Sequence, residues 1–176
     1  MPHSIELLPA ADGDAALRAQ WSRLAEARLP TAGKISADTN RPHCTLLAGT
    51  EIDPAADAAL AAVAMRLPAP VVIGAPTVFA QHAGYTLVRI VTPGAELLGV
   101  HAQTARVAGE FVTGLSSTSA PGHWTPHFTL ARRMTADQIA AALDLLDWAP
   151  IDTAVTALRR WNGDEKTDVV IPGRDC

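Results

Sequence analysis

The chain has 176 residues, 48% of them hydrophobic, with a formal net charge of −4 and a pI of about 5.8. That length holds one compact domain rather than two, and the apolar share is that of an ordinary globular core. The acidic balance excludes a general binder of long nucleic acid, which needs a basic excess to displace counterions, so a nucleic acid substrate would be gripped at an end, in a local pocket.

Ser4 to Leu8 reads as a first strand. Asp12 and Asp14 are placed to cap a helix that carries Leu17, Trp21, Leu24 and Arg28 at helical spacing and ends by Pro30 and Gly33. A polar loop, Ser36 to Asn40, leads to a strand over Pro42–Ala48. Asp53 and Pro54 form an N-cap and N1 pair for a helix to about Arg66. Val71 to Ala80 is a strand interrupted at Gly74-Ala75-Pro76.

The order of elements then repeats. Tyr85 to Val91 is a strand, and Pro93 and Gly94 open a helix to about Thr113. Leu115 to Gly122 is a loop, and Thr125 to Ala131 a strand. Thr135 and Gln138 make a capping box for a helix to Asp147. Ile151 to Trp161 is a strand, Asn162-Gly163 a turn, and Thr167 to Ile171 a closing hairpin strand.

Each half is thus β-α-β-α-β, with matched elements about eighty positions apart, the signature of a duplicated unit. The predicted fold is α+β: one bilobal domain over 1–176, lobe one about 1–82 and lobe two about 83–176 with a closing C-terminal strand. The lobes carry mainly antiparallel sheets that face each other across a central cleft.

The chemistry-bearing signal lies in two matched segments, Arg41-Pro-His-Cys-Thr-Leu-Leu and Thr125-Pro-His-Phe-Thr-Leu-Ala. One copy of Pro-His-x-Thr-Leu is a weak signal; two copies at matched positions are specific. On a strand, residues i and i+2 share a face. His43 and Thr45 therefore point one way, as do His127 and Thr129, while Cys44, Leu46, Phe128 and Leu130 pack behind them. Two imidazoles suit phosphodiester cleavage. A neutral one takes a proton from the attacking oxygen, and a protonated one gives a proton to the leaving oxygen, both forms being available near neutral pH. The threonine hydroxyls can donate to the non-bridging phosphate oxygens.

These segments, the second extended to Thr125-Pro-His127-Phe-Thr129-Leu130-Ala131-Arg132, resemble the paired His-x-Thr motifs of the two-histidine phosphoesterases. They are most similar to the 2′-5′ RNA ligase-like branch. That resemblance implies hydrolysis of a 2′,3′-cyclic phosphate, at an RNA end or on a nucleotide, to a 2′-phosphate. By it, His43 is the proton donor to the leaving 3′ oxygen and His127 the base that activates water. Thr45 and Thr129 hold the phosphate, and Arg132 matches the basic residue after the second motif. The first motif in that branch is often followed by Phe two positions after the Leu, where this chain has Ala48.

The remaining residues carry weaker signals. His3, His82, His101 and His123 lack any motif; His101 falls in a predicted helix, and His123 is close enough to the second motif to line the cleft. Cys44 faces the core and is no nucleophile. Trp124, Tyr85 and Trp161 are the aromatic candidates for stacking on a base, against the commoner role of packing. No Cys-x-x-Cys, His-Glu-x-x-His or Gly-rich phosphate loop occurs, so neither metal nor cofactor is expected. The two cysteines make no disulfide framework. No signal peptide or membrane span is read, and a cytoplasmic monomer is expected. The same residues would equally serve a cyclic dinucleotide, a 2′-5′ oligonucleotide, a small cyclic-phosphate metabolite or RNA 2′-5′ ligation. A non-catalytic module that binds RNA ends is the reading from another class.

Overall fold

The computed structural model describes residues 2–174; Cys176 lies outside them. The described residues form nine strands and four α-helices, the predicted elements in their predicted order with two short strands, β3 and β6, added: β1 (His3–Pro9), α1 (Ala11–Glu26), β2 (Cys44–Gly49), β3 (Glu51–Ile52), α2 (Ala56–Ala64), β4 (Ala69–Gln81), β5 (Gly84–Val91), α3 (Ala95–Ala108), β6 (Val112–Thr113), β7 (His127–Met134), α4 (Ala136–Leu145), β8 (Ile151–Asn162) and β9 (Thr167–Pro172). The fold is α+β and every strand pairing is antiparallel.

Seven strands form one sheet in the order β2-β1-β8-β4-β5-β7, with β9 on β8; β3 and β6 make a small second sheet. Exchanging the matched halves (β1 with β5, β2 with β7, β4 with β8) turns this order into its own reverse, as a duplicated unit requires. The halves are not laid side by side. Each gives its last strand to the other: β4 joins β5, and β8 joins β1. The helices cross over likewise, α1 packing on α4 and α2 on α3. A division at about residue 82 therefore falls in the β4–β5 turn and does not separate two sheets. The β4–β8 pairing instead makes the expected sheets continuous.

The interruption read at Gly74-Ala75-Pro76 marks where β4 changes partner. Its first stretch pairs with β8, and the register shifts between Ile73 and Pro76 before it continues along β5. Pro76 has no N–H to give a ladder, which suits such a break. The carbonyls there are taken by the buried Arg89, which donates to Ile73 and Gly74 and, across the loop, to Ala149. Burial holds its guanidinium below the usual arginine range, and these acceptors replace the water it has lost.

Two helix starts differ from the sequence reading. Ala10 is the N-cap of α1 and Ala55 that of α2, neither with a side-chain cap. Asp12 instead accepts from Gly13 N and Thr153 Oγ1, and Asp53 accepts from Ala55 N in the turn before α2. Asp12 thus ties the first turn of α1 to β8, and Asp53 is spent on a local turn, a common competitor of helix capping. The third helix stops at Ala108, short of Thr113, because Val112 and Thr113 pair with β3. The capping box at Thr135 and Gln138 is present. No helix among the described residues is long and apolar enough to cross a membrane.

Candidate active site

The sheet curls so that its end strands, β2 and β7, come against each other. Two tryptophans tie them in place from opposite halves. Trp124, just before β7, donates its indole N–H to the Thr45 carbonyl at 2.7 Å, and Trp21 of α1 donates to the Thr129 carbonyl at 3.0 Å. Behind them Cys44, Leu46, Phe128 and Leu130 are buried, as alternation requires, each large side chain contributing about 1.5–3 kcal/mol. Burial pushes the Cys44 thiol up to about 12, so it is held as an unreactive thiol.

Strict alternation would turn Arg132 away from His127 and Thr129. The ladder prevents this. Val88 pairs with Thr129 and Leu87 with Ala131, so Leu130 is an extra residue, a β-bulge. The bulge changes parity and brings Arg132 to the site, with Nη2 at 3.5 Å from Thr129 Oγ1. The first half does the same. Glu6 pairs with Thr45 and Ile5 with Leu47, leaving Leu46 as the bulge. Ala48 thus occupies the place matched to Arg132, and it lines the cavity beside Thr45.

Both histidines are anchored in one way. His43 Nδ1 donates to the Arg41 carbonyl at 2.8 Å, and His127 Nδ1 donates to the Thr125 carbonyl at 2.7 Å. A carbonyl oxygen only accepts, so in each ring Nδ1 keeps the hydrogen and Nε2 is the atom that gains or loses a proton.

Their surroundings differ. Nε2 of His43 stands 3.7 Å from Oε1 of the buried Glu6. Burial pushes the Glu6 carboxyl up, but the charges of His43 and Arg159 and the hydrogen bonds from Ser4 and Arg159 outweigh it, and the net shift is downward. Glu6 is therefore a buried carboxylate, paired through both Nε and Nη2 with Arg159. Arg159 in turn donates to the Thr39 carbonyl and to Asp168, which also faces Arg41 at 3.8 Å. Among the described residues no carboxylate forms an ion pair with His127. Its ring meets the edge of Phe79 at a centroid separation of 5.0 Å. Desolvation lowers its pKa, outweighing the bond to Thr125, and the charges of Arg132 and His43 lower it further. These surroundings favour the neutral imidazole at His127.

Two adjoining cavities share His43 and Arg132 in their walls. The larger, of about 700 Å³, runs past Thr45, Ala48 and His3 to Trp161. The smaller, of about 420 Å³, includes Trp21, Thr129 and Arg133. All the predicted site residues but His127 line one or both; His127 shares the face of Thr129 and stands within electrostatic reach of His43 and Arg132. Glu6, Arg159 and Phe79 were not singled out from the sequence. Glu6 was visible only as a carboxylate sharing a strand face with Ser4.

The other candidates separate cleanly. Arg41, which opens the first motif segment, is engaged with Asp168 and the Asp38 carbonyl. His101 is buried, donates to the Ser119 carbonyl and stacks on Trp124 at 4.1 Å. His123 and His82 are exposed, and neither lines these cavities. Tyr85 lies outside them too, whereas Trp161 lines the larger. Among the described residues no group of three or more His, Cys, Asp or Glu side chains is arranged to hold a metal ion.

The sequence profile of the 2′-5′ RNA ligase superfamily matches residues 8–167, nearly the whole chain and both histidine strands. The chain belongs to the 2′-5′ RNA ligase superfamily. Three solved structures share the superfamily's fold with it. The crystal structure of E. coli LigT complexed with 3′-AMP aligns with a TM-score of 0.56 and 19% identity over 99% of this chain and 97% of that one. The Thermus thermophilus protein TT0787 gives 0.58 and 15% over 97% and 95%. A protein described as a phosphoesterase gives 0.52 and 17% over 98% and 95%. Comparison with the curated proteins finds no match. Membership of that superfamily supports an enzyme.

Proposed function

We propose that the protein is a phosphodiesterase that hydrolyses 2′,3′-cyclic phosphates, on nucleotides or RNA ends, to 2′-phosphates. The observation that carries this reading is the pair of imidazoles fixed alike through Nδ1 but placed in opposite electrostatic settings. Protonated His43 and the Glu6 carboxylate attract each other, which suits His43 to give a proton to the leaving 3′ oxygen. Desolvation and neighbouring cations suit His127 to act as the base that takes a proton from water. As the P–O3′ bond breaks and the new P–O bond forms, charge grows on the non-bridging oxygens. Thr45, Thr129 and Arg132 can meet it with donated hydrogen bonds. The imidazoles supply both proton transfers, so the chemistry asks for no metal. That LigT was crystallised with 3′-AMP supports a nucleotide in the cleft.

The test is product identity. Adenosine 2′,3′-cyclic phosphate incubated with the protein in EDTA is followed by phosphorus NMR. The expected product is 2′-AMP. Accumulation of 3′-AMP would mean that the other oxygen leaves, and the donor assignment to His43 would fall.

A further inference from the structure

The smaller cavity holds more positive charge than the reacting phosphate requires. An acidic chain places Lys34, Arg132 and Arg133 in the wall of one cavity, and no carboxylate lines it. Arg132 stands at Thr129. Lys34 and Arg133 make no ion pair among the described residues. Arg133 also sits at φ 57, a left-handed conformation that costs a non-glycine residue about 1–2 kcal/mol; it falls at a second register shift, between the Leu87–Ala131 and Tyr85–Met134 pairs, and two successive arginines line the same cavity. The larger cavity differs. There a carboxylate, Glu6, lines the wall and is paired with Arg159, and beside Arg132 and Arg159 the one other cation among the described residues is Lys166, with the indole of Trp161 completing the wall.

We infer that Lys34 and Arg133 bind a second phosphate of the substrate, the 5′-phosphate of the nucleotide whose 2′,3′-phosphate reacts at His43. This rests on the phosphodiesterase reading and adds a specificity to it. The preferred substrate carries phosphate on both sides of its ribose, with the 5′ side running into the smaller cavity. A free nucleoside cyclic phosphate leaves two cations without their anion. Each charge-assisted contact to phosphate is worth enough for a preference of about tenfold or more.

Equilibrium binding separates this inference from turnover. The ligands are adenosine 2′,5′-bisphosphate and 2′-AMP, which differ by the 5′-phosphate alone, and binding is read by calorimetry. The wild type is expected to bind the bisphosphate about tenfold more tightly. In the Lys34→Gln, Arg133→Gln double variant the ratio should fall to near one. In Lys166→Gln, which removes a cation from the larger cavity, the ratio should persist. Equal binding of the two ligands by the wild type overturns the inference, as does a ratio that survives the double variant or that Lys166→Gln abolishes. Turnover of adenosine 2′,3′-cyclic phosphate is measured on the same preparation. If it is absent while the binding ratio is present, the phosphodiesterase reading fails and the second-phosphate site stands.

Discussion

Nε2 of His43 faces Oε1 of Glu6 across 3.7 Å, and that carboxylate is buried to 2% of its accessible surface. A buried carboxylate is stable only when paired and hydrogen-bonded. Here Ser4 and Arg159 supply the bonds, so the charge beside the catalytic candidate is held by the first and eighth strands together.

Glu6→Gln is expected to destabilise the fold by about 3 kcal/mol, because it leaves Arg159 buried without its main counter-charge. The same group sets an acid limit. Its folded pKa lies below the ordinary value of 4.5, so its contribution is complete above about pH 4.5 and is lost as pH falls from there through the folded value. Urea unfolding at several pH values should show wild-type stability dropping in that window and a flatter profile for Glu6→Gln. Parallel profiles would remove Glu6 as the cause.

The acidic limb of kcat/KM should report His127, which acts only when neutral. Desolvation, with smaller contributions from Arg132 and His43, holds it below the ordinary imidazole value of 6.5, so the limb is expected at lower pH than a free histidine would give. Arg132→Gln removes one of the lowering charges and should move the limb to higher pH, besides slowing the reaction. A limb that stays in place in that variant would show that another group titrates there.

Trp124→Phe should cost about 1 kcal/mol for the hydrogen bond lost to the Thr45 carbonyl. It should also slow turnover more than it weakens substrate binding, since it loosens the strand that aims His43 rather than a group that grips the ligand. Separate measurement of kcat and KM decides this; a change confined to KM would place Trp124 in substrate binding instead.

Cys44 should be silent. In a Cys176→Ser chain, Ellman's reagent at pH 8 is expected to react only after denaturation, because burial holds the thiol near 12. Rapid reaction in the folded protein would mean that the back face of β2 is open.

Much of this was legible in the sequence because it rests on local rules. The two Pro-His-x-Thr-Leu strands, the capping box at Thr135 and the break at Gly74-Ala75-Pro76 each follow from spacing within a few residues. What was not legible depends on pairing between distant strands. The bulges at Leu46 and Leu130 exist only in register with β1 and β5, and alternation by itself would have turned Arg132 to the core face with Phe128 and Leu130, away from the site. The break at Gly74-Ala75-Pro76 marks that β4 is interrupted, but which strands it joins on either side, β8 and then β5, is set by pairing alone. Glu6 and Arg159 lie 153 positions apart, each an ordinary charged residue until the sheet brings them together.

The central claim is that His43 and His127 act as one acid–base pair. The most direct measurement is single-turnover hydrolysis of adenosine 2′,3′-cyclic phosphate in EDTA by wild type, His43→Ala and His127→Ala, with folding of each checked by circular dichroism. Each variant should lose at least about 10²–10⁴-fold in rate, the worth of one positioned acid or base, and the double variant little more than either alone. Two folded single variants that retain full activity would contradict the account.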